Sequence, residues 1–141
     1  MESGVRFAGY AAVFERRDRG GDVIASGAFA QSLKSRLGAG EALPILWQHD
    51  PAQPIGVAEH VEEDARGLRV MGRLSVRPGA PARAADMLRA GAVNGPSFGY
   101  RVVDATTGPG DMRRLEALDI VEFSLVAHPM QPLARVHAVD A

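Results

Sequence analysis

Residues 94–100 read Asn-Gly-Pro-Ser-Phe-Gly-Tyr and place Ser97 between two glycines. The central five residues match Gly-x-Ser-x-Gly, the nucleophile elbow of α/β-hydrolases, in which the serine follows a strand and opens a helix. Here the order is reversed. Residues 78–92 have the apolar spacing of a helix, and residues 100–103, Tyr-Arg-Val-Val, are rich in the β-branched and aromatic residues typical of a strand. The stretch therefore excludes the α/β-hydrolase fold.

Outward from this stretch the chain has mainly strand character. Periodicity predicts a first helix ending near Gly38 and turns at residues 50–54, 64–66 and 105–111. Strands are predicted over residues 5–14, 43–49, 55–63, 67–76, 98–103 and 112–126. The sequence predicts an α+β fold, a mainly antiparallel β-barrel of six or seven strands with flanking helices, in a single domain over residues 1–141.

Composition narrows the function classes. The 141 residues carry a net charge of −1, so the chain lacks the excess of basic residues typical of nucleic-acid-binding proteins, and nucleic acid is not expected as a partner. No apolar run approaches the length of a membrane span, and the N-terminus does not look like an export signal, so no membrane association is expected. Cysteine is absent, which removes disulfides and thiolate chemistry. Covalent catalysis by this chain would use oxygen or nitrogen.

Ser97 and His49 form a candidate nucleophile and base. A serine hydroxyl becomes a nucleophile when a base removes its proton, and His49 lies at the end of the predicted strand 43–49. Each residue also has an ordinary structural interpretation: Ser97 as a turn serine bonding locally, His49 as a strand-end histidine bonded to backbone. The catalytic interpretation requires the two strand ends to meet and a third residue to orient His49.

Glu122 is the first candidate for that third residue. Alternation along residues 118–126 predicts Val121, Phe123 and Leu125 on one face, and Glu122 with Ile120 and Ser124 on the other. A carboxylate in such an apolar strand is either exposed or paired, and pairing would orient His49. His128 is the alternative, and Asp119 and Asp50 are weaker rivals.

A metal site is a further possibility that the spacing does not favour. His49, Asp50, His60 and His128 show no spacing typical of metal ligands. The sequence therefore does not predict a metal site.

Several ordered motifs together resemble a known family. The chain is similar to the prohead, or capsid-maturation, serine proteases of tailed bacteriophages and of related prophage or gene-transfer-agent clusters. The resemblance covers most of the chain and is carried by residues 9–14, 21–24, 27–29, 46–50, 54–56, 67–68, 97–100 and 122–126, followed by Pro129.

That resemblance implies a fold like that of the herpesvirus assembly proteases, or assemblins. It implies a serine endopeptidase in which Ser97 is the nucleophile, His49 the general base and Glu122 the third member, with His128 as the alternative. It implies no cofactor. The chain departs from many members in stopping at Ala141, where they carry a long C-terminal extension.

The resemblance also implies partners and a place of action. Substrates would be the scaffold or delta region of the major capsid protein and the protease itself. The portal protein would be a further partner, and a homo-oligomer would be one form of the protease. The place would be inside the procapsid, in the cytoplasm of the bacterial host. The alternative functions are a non-catalytic capsid-assembly or scaffold module with the same fold and, less in keeping with the fold, a small-ester hydrolase.

Overall fold

The computed structural model describes residues 4–18, 20–38, 43–75, 77–93, 95–108, 110, 112–127 and 135–140. The helices are α1 (Ala30–Gly38) and α2 (Ala80–Arg89). The strands are β1 (Gly4–Val13), β2 (Asp22–Ile24), β3 (Leu43–Trp47), β4 (Asp50–Glu63), β5 (Gly67–Ser75), β6 (Gly95–Thr107), β7 (Arg113–Val126) and β8 (Val136–Asp140). Within these residues, neither helix is long and apolar enough to cross a bilayer.

The strands form one curled sheet, in the order β2-β7-β3-β4-β5-β1-β8, with β6 on β7. Most pairs are antiparallel, but β7 is parallel to both β2 and β3. The sheet curls so that β1 lies against β6: a side chain on Gly9 would begin 3.0 Å from Cγ of Pro96. The predicted α+β class, a strand-rich barrel with flanking helices, is confirmed.

Two short strands lie outside the predicted set. β2 has only three residues, and β8 lies near the C-terminal end of the chain, beyond the last predicted strand. The pairing of each strand depends on a partner far away in the chain, which the local sequence pattern does not reveal. Each extends the sheet without changing its class.

The core lies between the curled sheet and its helices. Phe29, which is fully buried just before α1, packs edge-to-face on Phe98 of β6 with ring centroids 5.1 Å apart. The ring of Phe14 also packs against Phe29, with centroids 6.2 Å apart. These contacts fix β6 on its inner face and leave Ser97, the preceding residue, on the opposite face.

The turn after β3 differs from the prediction. The predicted turn at residues 50–54 is wrong: β3 and β4 are joined by a two-residue hairpin in which Trp47 pairs with Asp50. Gln48 and His49 occupy the turn with φ of 47° and 65°, the left-handed pattern of a type I′ turn. Such turns favour Asn-Gly, so nothing in this stretch signalled one.

The turn signals at Asp50 and Pro51 have another role. The ladder passes from Trp47–Asp50 to Leu46–Pro54, so residues 51–53 bulge out of β4. The Asp50 carboxylate accepts hydrogen bonds from Ala52 N at 2.9 Å and Gln53 Nε2 at 2.8 Å. Because Pro51 has no N–H to donate, its place in a bulge leaves no ladder bond unmade.

Replacing Gln48 by glycine is expected to stabilise the fold. A residue with a Cβ is destabilised by roughly 1–2 kcal/mol in the left-handed region. Glycine avoids this strain but loses more chain entropy on folding, which offsets about 0.5–1 kcal/mol of the gain. We expect Gln48→Gly to raise the free energy of unfolding by about 0.5–1 kcal/mol, measured by urea denaturation. Gln48→Ala removes the side chain but keeps Cβ, and an equal gain in that variant would contradict the strain argument.

Candidate active site

Three strands bring the sequence-predicted residues together, and β7 is the middle one. On one side, β7 pairs in parallel with β3, where Leu46 lies opposite Ser124 and Trp47 opposite Leu125. On the other side, β7 pairs with β6, where Ser97 lies opposite Ser124 and Gly99 opposite Glu122. His49 is two residues beyond the end of β3. The site therefore lies across β3, β7 and β6.

A β-bulge at Val121 decides which way Glu122 faces. Opposite β6, the register passes from Gly99–Glu122 directly to Tyr100–Ile120 and leaves Val121 without a partner. The extra residue reverses the alternation, so that Ile120 and Phe123 are both buried in the core. The predicted faces are therefore corrected: Val121 is 41% exposed, and Ile120 does not share the face of Glu122. Glu122 and Ser124 therefore share the face of β7 that points away from the core.

The imidazole of His49 is held by Glu122. Its Nδ1 lies 2.6 Å from Oε1 of Glu122. A carboxylate can only accept a hydrogen bond, so Nδ1 is protonated and its N–H donates the hydrogen bond to Oε1. In the neutral imidazole, the other ring nitrogen, Nε2, then holds a free lone pair. The His49 side chain is 43% exposed while that of Glu122 is 12% exposed, so a largely buried carboxylate holds an imidazole that solvent can reach.

Ser124 makes the other contacts at this carboxylate. Its hydroxyl donates to Oε2 of Glu122 at 2.8 Å and accepts the backbone N–H of His49 at 3.0 Å. Ser124 is only 1% exposed. Both oxygens of the Glu122 carboxylate are thus bonded, as a buried carboxylate requires.

Ser97 lies on the same face, directly across from Ser124. Opposite residues of an antiparallel pair have Cβ atoms roughly 5 Å apart. Ser97 is 6% exposed, and its hydroxyl makes no hydrogen bond to His49 or to any other described residue. Every fully buried side-chain nitrogen or oxygen of the described residues has a partner, so the unbonded Oγ keeps some contact with solvent. Bonds between nucleophile and base are often long until substrate binds.

Gly99 provides the space that the carboxylate of Glu122 occupies. A Cβ at this position would lie 3.0 Å from Cδ and 3.1 Å from Cγ of Glu122, and closer still to Oε1. Contacts this tight force the neighbour to move. The second glycine of the serine motif is thus required across the ladder, by Glu122, rather than by a turn at Ser97.

The rival third residues have different surroundings. Asp119 is bound by the Arg36 guanidinium and by Ser32, and these bonds, Arg36 first, hold the pKa of Asp119 below its ordinary value. Asp50 is bound within its own bulge, where the Gln53 side chain and then the Ala52 amide lower its pKa. His128 lies outside the described residues. Across the described ranges, no group of three or more His, Asp or Glu side chains could hold a metal ion.

Sequence reasoning did not assign a role at this site to Ser124. The Glu-x-Ser spacing places both side chains on one face of a strand, and the sequence analysis noted that shared face. What it lacked was the turn that brings the His49 amide over the same face. Without that turn, Ser124 has no second partner and looks like an ordinary strand serine.

The space at Gly99 leads to a test. Gly99→Ala should displace the Glu122 carboxylate from His49, and a misplacement of about 1 Å at a reacting centre costs on the order of 10²-fold in rate. We expect the rate at which a fluorophosphonate labels Ser97 to fall by about that factor, measured by intact-protein mass spectrometry. Gly108→Ala, whose Cβ would make its one tight contact, at 3.0 Å, with the flexible end of the Met112 side chain, is the control. Equal labelling rates in the two variants would refute the assignment.

Comparison with known sequences identifies the family. A sequence model described as "Caudovirus prohead serine protease" matches residues 1–141. The prohead protease of Enterobacteria phage HK97 is 32% identical over 140 residues, covering 96% of this chain and 60% of that protein. The chain therefore spans about three fifths of the length of this relative.

Solved structures are similar in fold. The capsid assembly protease of bacteriophage T4 superposes with a TM-score of 0.72 at 16% identity, over 87% of this chain and 81% of that one. The varicella-zoster virus protease gives a TM-score of 0.57 at 14% identity, over 99% and 65% of the two chains. The fold expected from the resemblance, that of the herpesvirus assembly proteases, is confirmed. On the match along its whole length, the chain belongs to the caudovirus prohead serine protease family.

Proposed function

We propose that this chain is a serine endopeptidase with Ser97 as nucleophile, His49 as general base and Glu122 as the residue that orients the base. One observation carries the proposal: a buried carboxylate bonds Nδ1 of a partly exposed histidine, on the sheet face where Ser97 presents an unbonded hydroxyl. Family membership favours an endopeptidase over a hydrolase of small esters.

The reaction would follow the chemistry of a serine triad. Nε2 of His49 takes the proton of Ser97 as Oγ bonds to the scissile carbonyl carbon, and Glu122 stabilises the imidazolium that forms. The C–N bond then breaks, and the imidazolium gives its proton to the leaving amine. A water molecule, deprotonated by His49, cleaves the resulting ester and restores Ser97. Backbone amides would stabilise the oxyanion.

We infer the substrate class from the family and its named relatives. A relative is a prohead protease and a structural neighbour is a capsid assembly protease, so the proposed substrates are the scaffold or delta region of the major capsid protein and the chain itself. The portal protein is a further candidate. The proposed place of action is the interior of the procapsid, in the host cytoplasm.

Replacing Ser97 tests the catalytic assignment. In procapsids assembled with the wild-type chain, a fluorophosphonate should label Ser97, and the major capsid protein should be cleaved. Ser97→Ala should abolish labelling and lower cleavage by about 10⁴-fold or more. Ser35→Ala, at an exposed serine of α1, should behave as wild type. Wild-type chains that neither label nor cleave would point to a non-catalytic assembly module.

A pair of substitutions tests whether Glu122 or His128 is the residue that orients His49. Glu122→Gln keeps the shape of the side chain, but its amide can donate to Nδ1 and stabilise the wrong tautomer, so we expect kcat to fall by about 10³–10⁴-fold. His128→Ala should change kcat by less than tenfold. The measurement is cleavage of a peptide from the capsid protein, with folding checked by circular dichroism. The opposite pattern would assign the third position to His128.

A further inference from the structure

We propose that Ser124 is a positioning residue that couples the backbone of His49 to the carboxylate of Glu122 and so sets the angle at which the imidazole faces Ser97. The inference rests on the proposed function, because the geometry that Ser124 sets matters for a reaction at Ser97. It concerns a residue that touches neither the substrate nor the reacting atoms.

The directions of the hydrogen bonds at Ser124 are fixed. A hydroxyl has one proton and two acceptor positions. The carboxylate of Glu122 can only accept, so the proton of Ser124 goes to Oε2. The backbone amide of His49 can only donate, so Ser124 accepts from it. The hydroxyl therefore has no rotational freedom.

The bonds close a ring around the base. From the Glu122 carboxylate, one path runs through Oε1 to the imidazole Nδ1, and the other runs through Oε2 and the Ser124 hydroxyl to the amide of His49. The imidazole and the backbone of the same residue are thus fixed to the two oxygens of one planar group. Rotation of the carboxylate would break both paths together.

The turn makes this second attachment necessary. His49 has a φ of 65°, in a region that costs a residue with a Cβ roughly 1–2 kcal/mol. A strained conformation persists where surrounding contacts hold it. The bond from the His49 amide to Ser124 is such a contact, and it lies on the sheet face that carries Ser97.

The chain supplies a matched control for the experiment. Ser32 of α1 is also buried, accepts a backbone amide, from Ile120 at 2.9 Å, and donates to a carboxylate, Oδ1 of Asp119 at 3.0 Å. Its bonding pattern is that of Ser124, but it serves a carboxylate that does not contact His49. Ser32→Ala and Ser124→Ala should therefore both destabilise the fold, by about 1–3 kcal/mol.

Their effects at the site should differ. Ser124→Ala is expected to lower kcat for a capsid-protein peptide, and the fluorophosphonate labelling rate, by roughly 10- to 100-fold, with KM changed less than about threefold because no substrate contact is lost. Ser32→Ala should leave both rates within about twofold of wild type. Ser124→Thr retains the hydroxyl and should recover most of the lost rate.

A spectroscopic readout separates this inference from the proposed function. In ¹⁵N-histidine-labelled protein, the proton on Nδ1 of His49 should give a downfield resonance, assigned by its loss in His49→Ala. Ser124→Ala should broaden or shift this resonance, whereas Ser32→Ala should not. That result would support the inference even if wild-type protein cleaved nothing, which would refute only the proposed function. An unchanged resonance and unchanged rates in Ser124→Ala would overturn it and leave Ser124 a structural residue.

Discussion

The parallel pairing of β3 with β7 is the interaction on which the rest of the site depends. It places the end of β3 beside Ser124 and Leu125, and the amide of Gln48 extends it by donating to the carbonyl of Leu125 at 3.2 Å. Only because β3 ends there does the hairpin turn hold His49 above the outer face of β7. The antiparallel pairing with β6 then brings Ser97 to that face from the other side.

Burial of Glu122 would be unfavourable without this arrangement. An unpaired carboxylate in an apolar sheet costs several kcal/mol, and the usual response is to take up a proton or move to solvent. Here each oxygen has a hydrogen-bond donor, and the glycine across the ladder leaves room for the group. The same few hydrogen bonds thus stabilise both the strained backbone of His49 and the buried carboxylate of Glu122.

The sequence allowed prediction of the fold class and of most strands because long alternating runs and glycine or proline turns are local signals. It failed where the deciding fact was not local. The turn at Gln48 and His49 lacks the glycine that marks its type, and the bulge at Val121 depends on the register with β6. An assumption of unbroken alternation therefore put Ile120 on the face of Glu122. For the site, residue chemistry selected Ser97, His49 and Glu122 as candidates, whereas the roles of Ser124 and Gly99 required knowledge of what lies across the ladder.

The separation of these residues along the chain has a consequence for biosynthesis. His49 and Glu122 are 73 residues apart. A contact of such long range requires the intervening chain to close into a loop, and this closure costs entropy before the contact can stabilise the fold. A chain emerging from the ribosome exposes His49 well before the strand that carries Glu122 has been made. The complete constellation can exist only in a molecule whose central sheet has already assembled.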